Sequence, residues 1–179
     1  MRNLIRYNSK FDIFFSPNAR GHKIRPMSIL LKEITRDNFS ECINLKTAEG
    51  QERFVASNVR SIAESKVEPY LVPLAVYQND KMVGFTLYGR DPEDGSYHIV
   101  RLMIDAKYQG KGFAKEAMRE LIKQLKEMPD CREVFLSYVP GNLAAERLYL
   151  GLGFQKTGKV DEDGEIIMRF SFVDEKENI

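Results

Sequence analysis

The fold is decided by Arg101-Leu102-Met103-Ile104-Asp105-Ala106-Lys107-Tyr108-Gln109-Gly110-Lys111-Gly112-Phe113-Ala114. It reads as a strand, a loop carrying two glycines, and the first turn of a helix. Backbone N–H groups at a helix start have no intrahelical acceptor, and the helix dipole adds positive potential there. Glycines let a ligand approach the main chain closely, so the junction is suited to phosphate oxygens and a pyrophosphate fits it. Two common phosphate motifs fail on spacing: GxGxxG needs a glycine where Lys115 stands, and GxxxxGK[ST] is absent.

Downstream of this run, Ala114, Ala117, Met118, Leu121, Ile122, Leu125 and Met128 recur at helical spacing with Lys, Glu, Arg and Gln between them, the strongest amphipathic signal in the chain. Pro129 ends it, and Glu133 to Val139 reads as a buried strand, so strand, helix and strand imply a crossover and a parallel pair. Asn142 then caps a short helix from Leu143 to Leu150 that stops at Gly151. Strands at about Phe154 to Val160 and Glu165 to Phe172 close the pattern, turned by Asp161-Glu162-Asp163-Gly164.

Upstream, strands at Leu71 to Tyr77, Met82 to Gly89 and Ser96 to Ile104 are separated by turn-forming stretches, which predicts a three-strand antiparallel meander. A strand near Ile29 to Ile34 opens the domain, followed by a short helix around Phe39 to Leu45 with Asp37 as its expected cap. A second helix is expected over about Phe54 to Glu64.

The chain has 179 residues, 43% of them apolar, enough for one compact core without disulfide or metal staples. Lys and Arg number 27 against 26 Asp and Glu, a net +1 that argues against a dedicated nucleic-acid binder. Residues 1–26 carry a net +5 and 27–172 hold the core pattern; a charged tail follows at 173–179. The basic segment has too short and interrupted an apolar stretch for a signal peptide, so it reads as an extension outside the core. Two isolated cysteines, Cys42 and Cys131, and two histidines, His22 and His98, assemble no zinc set and read as free thiols of a reducing cytoplasm. No apolar run approaches a membrane span.

With Gln109, Gly112 and Ala114 as Gln-x-x-Gly-x-Ala, Asn142 to Tyr149, and Gly151-Leu-Gly-Phe154, the sequence resembles the GCN5-related N-acetyltransferase (GNAT) superfamily over about residues 28–172. Within it, Val83-Gly84-Phe85, Tyr88-Gly89, the run Arg101 to Asp105 and Tyr108-Gln-Gly-Lys-Gly112 are similar to bacterial spermine/spermidine (diamine) N-acetyltransferases. The resemblance implies an α/β GNAT acyl-CoA N-acyltransferase fold: a mixed, mostly antiparallel sheet with helices on both faces, splayed between a parallel fourth and fifth strand. It implies acetyl-CoA as cosubstrate, no metal, a small-molecule amine (a polyamine first), no nucleic-acid or membrane partner, and a possible homodimer.

Carried over residue by residue, the main chain of Leu102, Met103 and Ile104 would hold the pantetheine arm. Gln109, Gly110, Lys111, Gly112, Phe113, Ala114 and Lys115 would surround the pyrophosphate, Asn142 would bond the pantetheine, and Tyr149 would protonate the leaving thiolate. Many relatives place a base four residues before the position of Ile104; here that residue is Val100, which leaves the base open among His98, Tyr97 through water, and carboxylates of the early helices. Glu52, Tyr88 and Tyr97 are the candidate contacts for a cationic substrate, from a wider acidic and aromatic set that includes Glu49, Phe54, Glu64, Glu68, Asp91, Glu93 and Asp94. Other amine acceptors (a protein N-terminus, a lysine, an aminoglycoside, an amino acid), an idle acyl-CoA-binding module, and binding of RNA or a membrane through the basic extension remain as alternatives.

Overall fold

The computed structural model describes residues 28–172; the expectations for residues 1–26 and 173–179 lie outside them. The elements follow in the order β1 (Ile29–Glu33), α1 (Phe39–Asn44), α2 (Asn58–Val67), β2 (Leu71–Gln78), β3 (Lys81–Arg90), β4 (Tyr97–Ile104), a 3₁₀ turn (Ala106–Tyr108), α3 (Phe113–Lys126), β5 (Glu133–Tyr138), α4 (Leu143–Leu150), β6 (Gln155–Val160) and β7 (Ile166–Ser171). The sheet order is β1-β2-β3-β4-β5-β7-β6, antiparallel throughout except for the β4–β5 pair.

Helices cover both faces, as the amphipathic pattern requires. On one face Cys42 of α1 packs with Ala75, Tyr77, Phe85, Leu87 and Met103. On the other, Met118, Leu121 and Leu125 of α3 meet Tyr97, Ile99, Val134 and Leu136, and Tyr149 of α4 joins the same cluster. Both cysteines are free and buried, and burial pushes the Cys42 thiol up to about 11 against the lowering effect of the Asn58 hydrogen bond, so it packs as an apolar group.

Two helix starts differ from expectation. The cap position of α1 is Asn38, not Asp37, and its side chain is engaged elsewhere: Oδ1 accepts from Thr35 N at 2.8 Å and Nδ2 donates to the Glu33 carbonyl at 2.9 Å. Helix α2 begins at Asn58, because the Ser57 hydroxyl accepts from Arg60 N and fixes the first turn there. Residues 54–57, expected as helix, are therefore in a loop, and that loop reaches the site through residues 52–56.

The decisive irregularity lies in β4. Leu87 pairs with Arg101 and Tyr88 with Ile99, so Val100 is an extra residue with no partner on β3, a β-bulge. The bulge switches the faces of the strand: Tyr97 and Ile99 pack toward α3 before it, Leu102 and Ile104 after it, while Met103 turns to the α1 side. It also ends the β4–β5 pairing, which covers only Tyr97–Val134, His98–Phe135 and Ile99–Leu136. Beyond that point the two strands part. On the far side of β4 the sheet stays tight, since a Cβ on Gly84 of β3 would lie 2.4 Å from the Met103 carbonyl oxygen, closer than any side chain tolerates.

Candidate active site

The parted strands form one wall each of a cavity of about 950 Å³, lined by Val100–Ile104 on β4 and Ser137–Val139 at the end of β5. Leu102, Met103 and Ile104 hold β3 through one edge, at Thr86, Phe85 and Gly84, and present the other edge to the cleft. An extended chain laid against that edge meets backbone donors and acceptors, the arrangement of an added strand.

At one end of the cleft lies the glycine loop. Gly112 takes φ +82° at the cap position of α3 and no side chain caps the helix, so the first-turn N–H groups stay open toward the cavity. A left-handed φ of that size is open to glycine at little cost. Gln109 fixes the loop from below: its amide donates to the Ile104 carbonyl at 2.9 Å and to Gln51 Oε1 at 2.8 Å, and Gln51 returns a bond to Gln109 Oε1 at 3.2 Å. Buried Asp105 accepts from Lys46 N and Lys107 N, and Ala106 N donates to the Lys46 carbonyl, a second tie between the loop and the segment after α1.

The expected cofactor residues separate in detail. Gln109, Gly110, Gly112, Phe113, Ala114 and Lys115 line the cavity. Lys111 does not; it folds back to donate to the Lys107 carbonyl at 3.1 Å and sits 5.5 Å from the Tyr108 ring, so the positive side chain at this end is Lys115. The Phe113 side chain is core, packed with Ile29, Val76 and Val83.

Asn142 and Tyr149, one residue before α4 and one within it, both line the cavity. The Asn142 side chain also caps the helix, accepting from Ala145 N at 3.1 Å. Tyr149 is 9% exposed and held between Tyr138 and Phe154, with ring centroids 6.3 and 6.0 Å away. Burial, with the charge of Glu165 added, pushes its phenol up to about 12. It therefore keeps its proton throughout the neutral range.

Away from the loop residues themselves, the cavity is also lined by Glu52, Arg53, Phe54 and Arg60, by Arg101, and by Asp161, Asp163 and Glu165 of the β6–β7 turn. Arg101 is held by Glu64, which also accepts from Arg60 Nε at 2.8 Å. Burial opposes ionisation of Glu64, but the two guanidiniums outweigh it and hold the carboxyl below its ordinary value.

Of the three candidate acceptor contacts, Glu52 reaches the cavity. Tyr97 does not: it is 6% exposed and its hydroxyl donates to the Pro129 carbonyl at 3.2 Å, inside the core. Tyr88, half-buried against the same core cluster, is likewise outside the lining. His98 is outside the lining, stacked on Phe135 at 5.6 Å and hydrogen-bonded to Ser96 Oγ at 2.7 Å. Aromatic character alone selects these residues, and it carries no information on which layer of the sheet each one meets. The acids of the β6–β7 turn were missed for another reason: an Asp-Glu-Asp-Gly run reads as a solvated turn, and only the order β5-β7-β6 carries it to the cleft.

Comparisons with known proteins agree with this geometry. The acetyltransferase (GNAT) family profile matches residues 31–154. The chain is 34% identical over 148 residues, 79% of its length and 97% of the relative's, to the spermine/spermidine N(1)-acetyltransferase of Bacillus subtilis (strain 168). Among solved structures it is similar to an aminoglycoside acetyltransferase in complex with coenzyme A, with TM-score 0.69, 17% identity, and 81% and 95% of the two chains covered. It is also similar to an N-acetyltransferase from Thermoplasma acidophilum in complex with coenzyme A, with TM-score 0.59, 16% identity, and 82% and 100% covered. Among the described residues no helix is long and apolar enough to cross a membrane. A strand edge freed by a bulge, an uncapped helix start beside it and a buried tyrosine across the gap thus belong to a chain of the GNAT family of acetyl-CoA-dependent N-acetyltransferases.

Proposed function

We propose that this enzyme acetylates a primary amine of a polyamine of the spermidine or spermine class, by direct attack of the amine on the acetyl thioester. The observation that carries the reading is the charge at the acceptor end, where the lining carboxylates Glu52, Asp161, Asp163 and Glu165, with Glu64 paired to Arg60 and Arg101, outnumber the arginines Arg53, Arg60 and Arg101. A flexible polycation is attracted to such a set of carboxylates. The 34% identity to the Bacillus polyamine acetyltransferase supports the same substrate class.

In this reading the edge of Leu102–Ile104 holds the pantetheine arm, and a backbone N–H there stabilises the oxyanion of the tetrahedral intermediate. The open N–H groups of α3, with Lys115, bind the pyrophosphate. Tyr149 holds a proton for the departing sulfur, a role its raised phenol suits because ionisation is suppressed until a thiolate forms nearby. Glu52 contacts a distal ammonium.

The test is thiol release from acetyl-CoA with spermidine, spermine, putrescine, aminoglycosides, amino acids and short peptides, with product mass confirming a single acetyl group. Selective turnover of spermidine and spermine is expected. Turnover of another amine class in their place overturns the polyamine assignment.

A further inference from the structure

The group that accepts the amine proton is the missing part of this chemistry. Val100 occupies the position where a side-chain base is expected, and as an aliphatic residue it exchanges no proton. His98 is outside the cavity lining, stacked on Phe135.

Among the carboxylates that line the cleft, Glu165 is set apart by how it is held. Its Oε2 accepts from Ser137 Oγ at 2.7 Å, and Ser137 is the first residue of β5 past the last β4–β5 pair, where the cleft opens. Its backbone is pinned as well: Glu165 N donates to Asp161 Oδ1 at 2.9 Å and the Glu165 carbonyl accepts from Asp161 N at 3.0 Å. Glu52 and Asp163 are exposed at the rim, and Asp161 spends Oδ1 on the turn. Glu165 therefore offers Oε1 from a fixed position in the same cavity lining as Tyr149, whose phenol its charge influences.

We propose that Glu165 is the general base for the acceptor amine, a step that rests on the acetyl-transfer reading above. An N–H proton of the bound ammonium passes to Glu165, and the freed nitrogen lone pair forms a C–N bond to the thioester carbonyl carbon. Collapse of the tetrahedral intermediate breaks the C–S bond as the Tyr149 O–H proton goes to the sulfur. The second N–H proton, still on the amide nitrogen, returns to the Tyr149 phenolate, and Glu165 releases its proton to solvent. The sum is ammonium plus thioester giving amide, thiol and one proton.

The same geometry couples the two ends of the reaction. A cation seated against Glu165 offsets the charge that helps hold the Tyr149 proton, so arrival of the acceptor eases proton donation to the sulfur.

The experiment is steady-state kinetics of Glu165→Gln, which preserves the hydrogen bond to Ser137, with acetyl-CoA affinity measured by calorimetry. With spermidine, kcat falls about 100-fold or more while the acetyl-CoA Kd stays within about twofold. Across primary amines of decreasing basicity the loss shrinks, because an amine already neutral needs no base. Glu165→Asp restores part of the rate, and Glu162→Gln on the exposed side of the same turn behaves as wild type. Should Glu165→Gln fail to fold, Ser137→Ala is expected to show a smaller loss with the same dependence on amine basicity. A raised KM at unchanged kcat, or an equal loss for every amine, overturns the base role while leaving acetyl transfer intact. A wild-type enzyme that acetylates no amine in the panel overturns both.

Discussion

The two ends of the cleft are built on different terms. The end proposed to hold the pyrophosphate is made of main chain: a helix start, a glycine at φ +82° and a free strand edge, tied down by Gln109 and Asp105. The acceptor end is made of side chains on two loops far apart in sequence, residues 52–56 and the β6–β7 turn. Main-chain sites depend on a local sequence pattern, because few residues adopt the required backbone. Side-chain sites depend on tertiary placement, and a carboxylate can come from any loop that reaches. One half is thus constrained to bind one donor and the other is free to change acceptors.

Substitutions can break this contrast. The largest effect is expected from Tyr149→Phe, which retains the ring packing against Tyr138 and Phe154 but lacks the proton: kcat should fall about 100-fold or more with acetyl-CoA affinity nearly unchanged, as steady-state kinetics and calorimetry will report. Gly112→Asp should do the opposite, weakening acetyl-CoA binding about 10- to 100-fold, since it adds backbone strain of about 1–3 kcal/mol and an anion at a phosphate site. A Gln109→Ala and Gln51→Ala cycle sharpens the picture further. Each single change should raise the acetyl-CoA Kd a few-fold, and the double change should add little, because the two amides share one pair of bonds.

The smallest effect is at the acceptor end. The folded state holds Glu64 below its ordinary value of 4.5, so its contribution to stability is complete above that value and is lost as pH falls through the lowered one. Glu64→Gln should be less stable than wild type at neutral pH by about 1 kcal/mol or less, given the solvent screening of a pair this near the surface. In urea titrations the gap should close in acid. A gap that persists there would assign the loss to packing rather than charge.

How much of this was legible in the sequence follows the same division. The α3 periodicity, the meander, the strand-helix-strand unit and the Asn142 cap are local patterns, and each appears in the structure at nearly the expected residues. The cofactor loop was readable because glycine and a helix start carry their own signal. Lys111 was not separable from Lys115, since which lysine turns inward depends on the exact start of α3. The placement of Tyr97 failed because residue type alone does not say which layer of the sheet a side chain meets, and Glu165 was hidden because its turn reaches the cleft only through the insertion of β7 between β5 and β6. The α2 start moved by several residues because Ser57 captures the cap, leaving Phe54 in the loop that lines the cavity.

Val100 has a consequence of its own for what sequence changes the fold can absorb. Its side chain is 41% exposed and unpaired on β3, so exchanging it for another residue alters little. Removing it is another matter. The residue acts as a half-step in the phase of the strand: a one-residue deletion would let Arg101 follow Ile99 directly in the pairing with β3, leaving Arg101 to Ile104 on their present layers but removing the bulge at the point where β4 leaves β5, so the gap that forms the cleft should narrow. A position nearly silent to substitution is therefore expected to be costly to delete for ligand binding while the chain still folds, as acetyl-CoA affinity and soluble yield of the Val100-deleted chain beside Val100→Thr will report.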